Sequence, residues 1–225
     1  MMNTDTKNIV IIGSSGHAKV VVDCIEREGK YRIEGLIDSS KPVGEMAIGY
    51  QILGTEENLP ELVEKFGLWG GFIAIGDNWK RFLVAQRIKA LLPTFEFIST
   101  IHPSAQIARG VSIGCGTVLL AGAIVNSDSK IGDFCILNTK ASLDHDSGME
   151  DFASLAPGAT TGGNVRIGAY SAVSIGASIL HQRQIGQHTL IGAGAVVMDN
   201  LPDFCVAYGT PAKVIRERQQ GDPYL

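Results

Sequence analysis

A repeat of six residues runs without a break from Ile107 to Val197. A fixed short period over about ninety residues indicates a repeat architecture, and it constrains the fold more than any local motif does. Fifteen of the sixteen residues on this repeat are aliphatic, and Thr161 is the exception. The repeat positions are Ile107, Ile113, Leu119, Val125, Ile131, Leu137, Leu143, Met149, Leu155, Thr161, Ile167, Val173, Ile179, Ile185, Ile191 and Val197.

An even period keeps one side chain per unit on the same face only when each unit is a short extended segment followed by a turn. Three such units predict one triangular coil of a parallel β-helix, with about eighteen residues per coil. The aliphatic residue then points inward and stacks on its counterpart one coil later. The residue four places after it is usually small, which suits a corner: Thr117, Ala123, Ser129, Cys135, Ala141, Ser147, Ala153, Ala159, Ser171, Ala177, Thr189 and Ala195.

The first hundred residues lack the repeat and instead alternate short apolar runs with helical patterns. This alternation predicts an α/β domain with a parallel sheet, which binds ligands beyond the carboxyl ends of its strands. The first predicted helix has its apolar face at Val20, Val21, Cys24 and Ile25. The predicted strands are 8–12, 33–37, 72–75 and 95–98, and the main predicted helices are 18–28 and 79–92.

Three loops at those carboxyl ends carry polar groups. The first opens a helix, whose free N–H groups can hold a phosphate, but Ser15 stands where a dinucleotide fingerprint needs its second glycine. Asp38 is placed to bind a ribose or a base. The same residue types also make ordinary strand-to-helix turns, so a nucleotide-type ligand is one of two interpretations. The loop residues are Gly13, Ser14, Gly16 and His17, then Asp38, then Gly76, Asp77 and Asn78.

Within the repeat, two places are chemically unusual. His145 follows Leu143 by two positions and lies between Asp144 and Asp146. A histidine with a carboxylate partner is a common general base, and the alternative is a surface histidine in a polar turn. One coil later, Thr161 is followed by Gly162 and Gly163, and adjacent glycines let a backbone N–H approach a ligand closely.

Charge and cysteine content exclude several classes. The chain has 19 basic and 23 acidic residues, so it has no nucleic-acid footprint. No apolar run is long enough to predict a membrane span or a signal peptide. Four widely spaced cysteines form neither a metal nor a disulfide pattern. We therefore expect a cytoplasmic protein. The two domains are expected to meet at His102-Pro103, because Pro103 keeps His102 out of helical geometry.

Several motifs in this order resemble a known family. They are Ile-Gly-Ser-Ser-Gly-His-Ala-Lys (12–19), Ala-Ile-Gly-Asp-Asn (74–78), Leu-Asn-Thr (137–139), Asp-His-Asp (144–146) and Gly-Thr-Pro-Ala-Lys (209–213). Together they are similar to the left-handed β-helix hexapeptide acyltransferases, within the subfamily of sialic acid O-acetyltransferases and bacillosamine-type N-acetyltransferases. The resemblance implies a Rossmann-like nucleotide-sugar-binding domain at 1–100, a left-handed β-helix at 101–204 and a capping tail at 205–225.

The resemblance also implies an activity. The chain would be an acetyl-CoA-dependent N-acetyltransferase acting on a nucleotide-linked amino sugar, without a metal. His145 matches the family's base, Asp146 the acid that supports it, and Gly163 the N–H donor facing the thioester. His17 would lie near the diphosphate, and Asp38, Asp77 and Asn78 near the nucleoside. Ile175, Ala193, Gly194 and Lys213, with Gly163, fall where the family binds coenzyme A. The family is trimeric, with coenzyme A between subunits.

Other functions stay open. An O-acetyltransferase of sialic acid would use the same base and groove. The other alternative is a non-catalytic protein in which the β-helix only forms a trimer and the α/β domain binds a ligand. Zinc hydratases of the γ-carbonic anhydrase type share the β-helix and bind zinc through three histidines. Here His181 and His188 lie seven residues apart, whereas the corresponding zinc-binding histidines of that family lie five apart. Some relatives carry a second histidine nine residues after the base, where this chain has Ser154. The sequence names neither the sugar nor the nucleotide, which is UDP or GDP.

Overall fold

The structure, a computed structural model, describes residues 6–223 and divides the chain into two units. The first unit contains the residues up to Gly76 together with Lys80–Pro103. The second contains Asp77–Trp79 together with the residues from Ser104 onwards. The later of these boundaries follows the His102-Pro103 dipeptide directly.

The first unit is built on a six-stranded sheet with the order β3-β4-β2-β1-β5-β6. Neighbouring strands are parallel, except that β3 and β4 form an antiparallel pair. The predicted α/β class with a parallel sheet is therefore confirmed. The strands are β1 (Lys7–Ile12), β2 (Tyr31–Ile37), β3 (Met46–Ala47), β4 (Tyr50–Gly54), β5 (Leu68–Ile73) and β6 (Glu96–Phe97). The helices are α1 (Gly16–Glu28), a 3-10 turn (Glu56–Asn58), α2 (Leu59–Phe66) and α3 (Asn78–Leu91).

Two predictions for this unit were wrong in detail. Val20 is 42% exposed, because α1 begins at Gly16 and buries Ala18 and Val22 alongside its other apolar residues. The strand predicted at 72–75 begins at Leu68 and includes Gly70 and Gly71. A Cβ atom at Gly70 would collide with the backbone of β6, so the sheet accepts only glycine there.

The second unit is a parallel β-helix whose strands are mostly two residues long. Residues 18 apart pair in register, for example Val118 with Ile136 and Lys130 with Gly148. This confirms the left-handed β-helix predicted for the repeat. Face 1 contains Val118–Leu119, Ile136–Leu137, Ser154–Leu155, Ala172–Val173, Leu190–Ile191 and the hairpin Cys205–Gly209 with Ala212–Glu217; face 2 contains Gln106–Ile107, Ile124–Val125, Ser142–Leu143, Thr160–Thr161, Ser178–Ile179 and Val196–Val197; face 3 contains Ser112–Ile113, Lys130–Ile131, Gly148–Met149, Arg166–Ile167 and Gln184–Ile185. A further short strand lies at Thr100–Ile101.

The inward stacking predicted from the repeat is also confirmed. Fourteen of the sixteen repeat positions are buried, including Thr161. Ile107 and Ile113, the first two positions of the repeat, are the exceptions. The small corner residues are buried as well. Each coil thus repeats the same pair of constraints, an apolar side chain inside and a small one at the turn.

Each corner of the coil also requires a residue with positive φ, and the three corners meet this need differently. The glycine corner, between faces 1 and 2, uses Gly122, Lys140, Gly158, Gly176 and Gly194. The polar corner, between faces 2 and 3, uses Gly110, Asp128, Asp146, Asn164 and Gln182. The aromatic corner, between faces 3 and 1, uses Gly116, Phe134, Phe152, Tyr170, His188 and Phe204.

The rings of the aromatic corner form a continuous stack along the β-helix. Successive ring centroids from Phe134 to Phe204 are 4.7, 5.5, 4.6 and 4.8 Å apart, with planes within 16° of parallel. His188 lies inside this stack, and burial lowers the pKa of its imidazole. Offset stacking stabilises the rings beyond what the burial of their apolar area contributes. The stack therefore offsets the strain of placing bulky residues in the left-handed region.

We expect Phe152→Ala to lower the free energy of unfolding by about 3 kcal/mol, because a buried ring is lost between two stacked neighbours. Urea titration followed by circular dichroism measures this change. Lys140→Ala is the matched control, since Lys140 has the same backbone conformation but is exposed at the glycine corner. Equal effects of the two substitutions would contradict a stabilising role for the stack.

Candidate functional site

His145 stands on the polar corner with an exposed side chain and a carboxylate partner. Its Nδ1 lies 2.8 Å from Oδ2 of Asp146, the left-handed residue of the same turn. The hydrogen bond with Asp146 is the main reason that the pKa of His145 is raised, and the charges of Asp144 and Asp146 add to it. Because Nδ1 is engaged, Nε2 is the ring nitrogen left to exchange a proton with a ligand.

Asp144 fixes the other side of this turn. Its Oδ1 accepts hydrogen bonds from the backbone N–H of His145 at 2.8 Å and from Nδ2 of Asn126 at 2.6 Å. These two bonds, the one from Asn126 first, lower the pKa of Asp144. The backbone N–H of Asp144 donates in turn to the Thr161 hydroxyl at 3.0 Å. The two carboxylates therefore have different tasks, since Asp146 holds the imidazole and Asp144 holds the backbone.

Gly163 lies directly beneath the imidazole, one coil after His145. A Cβ atom at position 163 would overlap the His145 ring, so this stacking requires glycine. The Gly163 carbonyl accepts the N–H of Gln182, whereas its own N–H donates no hydrogen bond among residues 6–223. A basic nitrogen and an available backbone donor thus lie side by side, as acyl transfer requires for proton removal and oxyanion stabilisation.

Three of the residues predicted to bind coenzyme A, namely Ile175, Ala193 and Gly194, lie together at the glycine corner, whereas Gly163 lies beside His145. Ile175 is 62% exposed at the glycine corner. The N–H of Gly194 donates to its carbonyl at 2.9 Å, so Ala193 and Gly194 stack one coil above it. Lys213 is exposed on the C-terminal hairpin, 3.8 Å from Asp199. Within one chain, His145 and the residues of the glycine corner are therefore separated by the width of face 2.

Two positions weighed from the sequence lie away from His145. Ser154, where some relatives have a second histidine, is on face 1 and pairs with Ile136 and Ala172. His188 is buried in the aromatic stack and is not presented for metal binding as a zinc hydratase requires. No group of histidine, cysteine and carboxylate side chains within residues 6–223 is arranged to hold a metal ion.

In the first unit a cavity of about 180 Å³ opens at the carboxyl ends of β1 and β2. Gly13, Ser14 and Asp38 line it. Burial would raise the pKa of Asp38, but hydrogen bonds donated by Ser14 and Ser40 outweigh burial and lower it. The first turn of α1 contains no acidic residue, so its free N–H groups remain suited to an anion.

His17 lies beside this cavity rather than among the residues that line it. Its Nε2 is buried and has no hydrogen-bond partner within the described part of the chain. Burial, aided by the charge of Arg81, lowers the pKa of His17 to about 4. Arg81 itself is fully buried and donates to the carbonyls of Ile75 and Gly76. Sequence reasoning missed Arg81, because an arginine in a helix ordinarily lies on the surface.

Asn78, in the third loop, makes a contact that the sequence did not predict. Its side chain is 1% exposed and does not line the cavity. The amide donates instead to the backbone carbonyl of Ser171 at 3.0 Å, with a longer contact to that of Tyr170. Both carbonyls belong to the second unit, as Asn78 does. The sequence pattern, a Gly-Asp-Asn turn after a strand, does not indicate a hydrogen bond to the Ser171 carbonyl.

We expect Asp146→Asn to lower the pKa of His145, because the amide cannot stabilise the imidazolium as the carboxylate does. Proton NMR titration of the imidazole Cε1 resonance measures the pKa. Asp128→Asn is the control, since Asp128 occupies the same corner position one coil earlier and should leave the titration unchanged. An unchanged pKa in the Asp146 variant would rule out this coupling.

Comparisons with known proteins agree on one family. Residues 8–88 match the model of the PglD N-terminal domain. Over 115 residues the chain is 35% identical to UDP-N-acetylbacillosamine N-acetyltransferase of Bacillus subtilis (strain 168), a match that spans 51% of this chain and 52% of that relative.

None of the helices within residues 6–223 has the length and apolar character needed to cross a bilayer.

Solved structures match nearly the whole chain. A histidine-to-asparagine variant of perosamine N-acetyltransferase from Caulobacter crescentus, in complex with CoA and GDP-perosamine, is 34% identical with a TM-score of 0.87, covering 93% of this chain and 97% of that one. The acetyltransferase domain of PglB from Neisseria gonorrhoeae FA1090, in complex with acetyl coenzyme A, is 32% identical with a TM-score of 0.84, covering 93% and 100%.

Proposed function

The chain belongs to the hexapeptide-repeat sugar N-acetyltransferases, and from this membership we propose that it transfers the acetyl group of acetyl-CoA to the amino group of a nucleotide-linked amino sugar. The observation that carries this proposal is the stacking of His145, held by Asp146, over the unbonded N–H of Gly163. The relatives that bind CoA and GDP-perosamine support both substrate classes.

The proposed mechanism follows from the placement of these groups. A sugar amine is mostly protonated at neutral pH and becomes a nucleophile only when a proton leaves. Solvent takes that first proton and leaves a neutral amine. Nε2 of His145 accepts a second proton from the nitrogen as the amine attacks the thioester carbonyl, and the Gly163 N–H donates to the oxyanion that forms. Collapse of this intermediate expels the CoA thiolate, which receives the proton from the imidazolium. A donor of this kind is typically worth about 10²–10³ in turnover.

We assign the nucleotide end of the substrate to the first unit. The diphosphate would lie against the turn of Gly13, Ser14 and Gly16 that opens α1, with the buried Nε2 of His17 nearby. The N–H of Gly13 is already bonded to the Ile37 carbonyl, so the phosphate donors would be the free N–H groups of the first turn of α1. Asp38 would bind the ribose or the base, and Gly76 with Asp77 would close the same edge. The surrounding backbone donors suit a phosphate better than a neutral sugar.

Coenzyme A would bind between subunits of a homotrimer. The glycine corner, with Ile175, Ala193 and Gly194, and the polar corner, with His145, both border face 2. If three chains turn face 2 toward a threefold axis, the glycine corner of one lies beside the polar corner of the next. Lys213 would then pair with a coenzyme A phosphate. The outward side chains of face 2 at 142, 160 and 178 are small, which suits close packing.

The cytoplasm is the proposed location. Acetyl-CoA and nucleotide sugars are cytoplasmic metabolites. The four cysteines are widely spaced in the sequence and form no disulfide pattern, as is usual for proteins kept in a reducing compartment.

We expect His145→Ala to reduce kcat by at least about tenfold with little change in KM for acetyl-CoA, because losing a general base costs about 10²–10⁴ in rate. A thiol-release assay with acetyl-CoA and a panel of UDP- and GDP-linked amino sugars measures both constants. Release with free sialic acid in place of nucleotide amino sugars would favour O-acetylation. Turnover like that of the unmodified protein in the His145 variant would sink the assignment.

We expect Asp38→Ala to weaken nucleotide binding by about tenfold, because the substitution removes a half-buried carboxylate that would bond to the ligand and that holds the loop through Ser14 and Ser40. Calorimetry with UDP and GDP measures the affinity and shows which nucleotide the first unit prefers. Asp23→Ala serves as the control, since Asp23 is exposed on α1 and pairs only with Arg27 among the described residues. If neither nucleotide binds the unmodified protein, the assigned role of the first unit fails.

A further inference from the structure

The hydrogen-bond ladder of face 2 is interrupted next to the base. In the coil before, the N–H of Asn126 donates to the backbone carbonyl of Leu143 at 2.9 Å. In the coil after, the N–H of Gly162 donates to the carbonyl of Ile179 at 2.8 Å. Asp144 holds the same place between them, yet its N–H donates to the side-chain hydroxyl of Thr161. A side chain has replaced the backbone acceptor at this rung.

The strand pairing is also shorter at this point. Thr160–Thr161 pairs with Ser142–Leu143 through one residue pair, Ser142 with Thr160. The same strand pairs with Ser178–Ile179 through both of its residues. The backbones of the two coils therefore diverge after Ser142 and Thr160. His145 follows on one chain segment and Gly163 on the other, so the divergence occurs immediately before the base and the oxyanion donor.

Stability alone gives no reason for threonine at this position. The other residues of the repeat are aliphatic, and a buried hydroxyl costs free energy unless it is hydrogen-bonded. Valine has nearly the same shape and would fill the same space without a polar atom. The hydroxyl does have a partner, the Asp144 N–H, and Asp144 in turn holds the N–H of His145 through its carboxylate. The bond thus acts on the turn that carries the base.

We propose that Thr161 is a positioning residue for the acetyl transfer, and that its hydroxyl sets the His145 turn at the height above Gly163 that the thioester requires. The inference rests on the proposed function. An ordinary ladder bond would draw Asp144 onto the Thr161 carbonyl. The next rung is ordinary, since the N–H of Asn164 donates to the His145 carbonyl at 2.9 Å, so the opening is confined to Asp144 and Thr161. The hydroxyl accepts the Asp144 N–H in place of the Thr161 carbonyl and keeps this junction open.

The test compares Thr161→Val, Thr161→Ser and the matched control Thr189→Val. Thr189 also has a buried hydroxyl in the β-helix, bonded to the Pro202 carbonyl at 2.7 Å, but it lies away from the polar corner. We expect Thr161→Val to lower kcat at least about tenfold, since a misplacement of about 1 Å can cost on the order of 100-fold. KM for acetyl-CoA should stay within about twofold, and Thr161→Ser should recover most of the turnover, because each change leaves the coenzyme A corner intact.

An activity-independent readout accompanies these rates. NMR titration should show a lower pKa for His145 in Thr161→Val, because a turn drawn toward the Thr161 carbonyl no longer holds the carboxylates of Asp144 and Asp146 in their places beside the imidazole. Thr189→Val should lower thermal stability without changing kcat or this pKa.

Three results would overturn the inference: an unchanged kcat and pKa in Thr161→Val, equal losses in the valine and serine variants, or equal losses at positions 161 and 189. Failure of the unmodified protein to acetylate any acceptor would refute the proposed function separately. In that case the titration of His145 still decides whether Thr161 sets the turn.

Discussion

The structure of the second unit depends on one backbone constraint, a left-handed residue at every corner of every coil. Residues other than glycine are strained there, so each corner must offset the strain in its own way. Glycine at 122, 158, 176 and 194 removes the strain at one corner. Aspartate and asparagine tolerate it at the second, and stacked rings offset it at the third. A single requirement has therefore produced three corners with different chemistry on one repeating fold.

The three corners differ in chemistry, and the roles proposed for them differ accordingly. The polar corner can carry a histidine between carboxylates, because its residues are already short and polar. The glycine corner presents little but backbone around Ala193 and Gly194, which lets an extended ligand approach closely. The aromatic corner is closed to ligands by its own stacking and serves stability. In the proposed trimer the two open corners meet, so catalysis and coenzyme binding come from surfaces that one chain keeps apart.

The period of six predicted the second unit because every unit obeys the same local rule, and the same spacing placed Gly163 under His145. The sequence could not show that Thr161 bonds to Asp144, since it marks only where the aliphatic pattern fails. Arg81 was missed because its bonds to the carbonyls of Ile75 and Gly76 leave no trace in an apolar pattern. The contact of Asn78 was missed because the Ser171 carbonyl is far along the chain. Val20 was assigned to the wrong face because the start of α1 lay earlier than predicted. These details depend on particular side-chain contacts and on the exact start of a helix, neither of which a local period encodes.

The surroundings of the histidines explain why the base is exposed. Burial lowers the pKa of His17 to about 4 and also lowers that of His188, so both imidazoles remain neutral and weakly basic. His145 has the opposite environment, with an exposed ring and a carboxylate that raises its pKa. A buried position would have weakened the base that the attacking amine needs. Exposure in turn leaves the site open to water, and a neighbouring subunit over face 2 would exclude that water without burying the imidazole in its own chain.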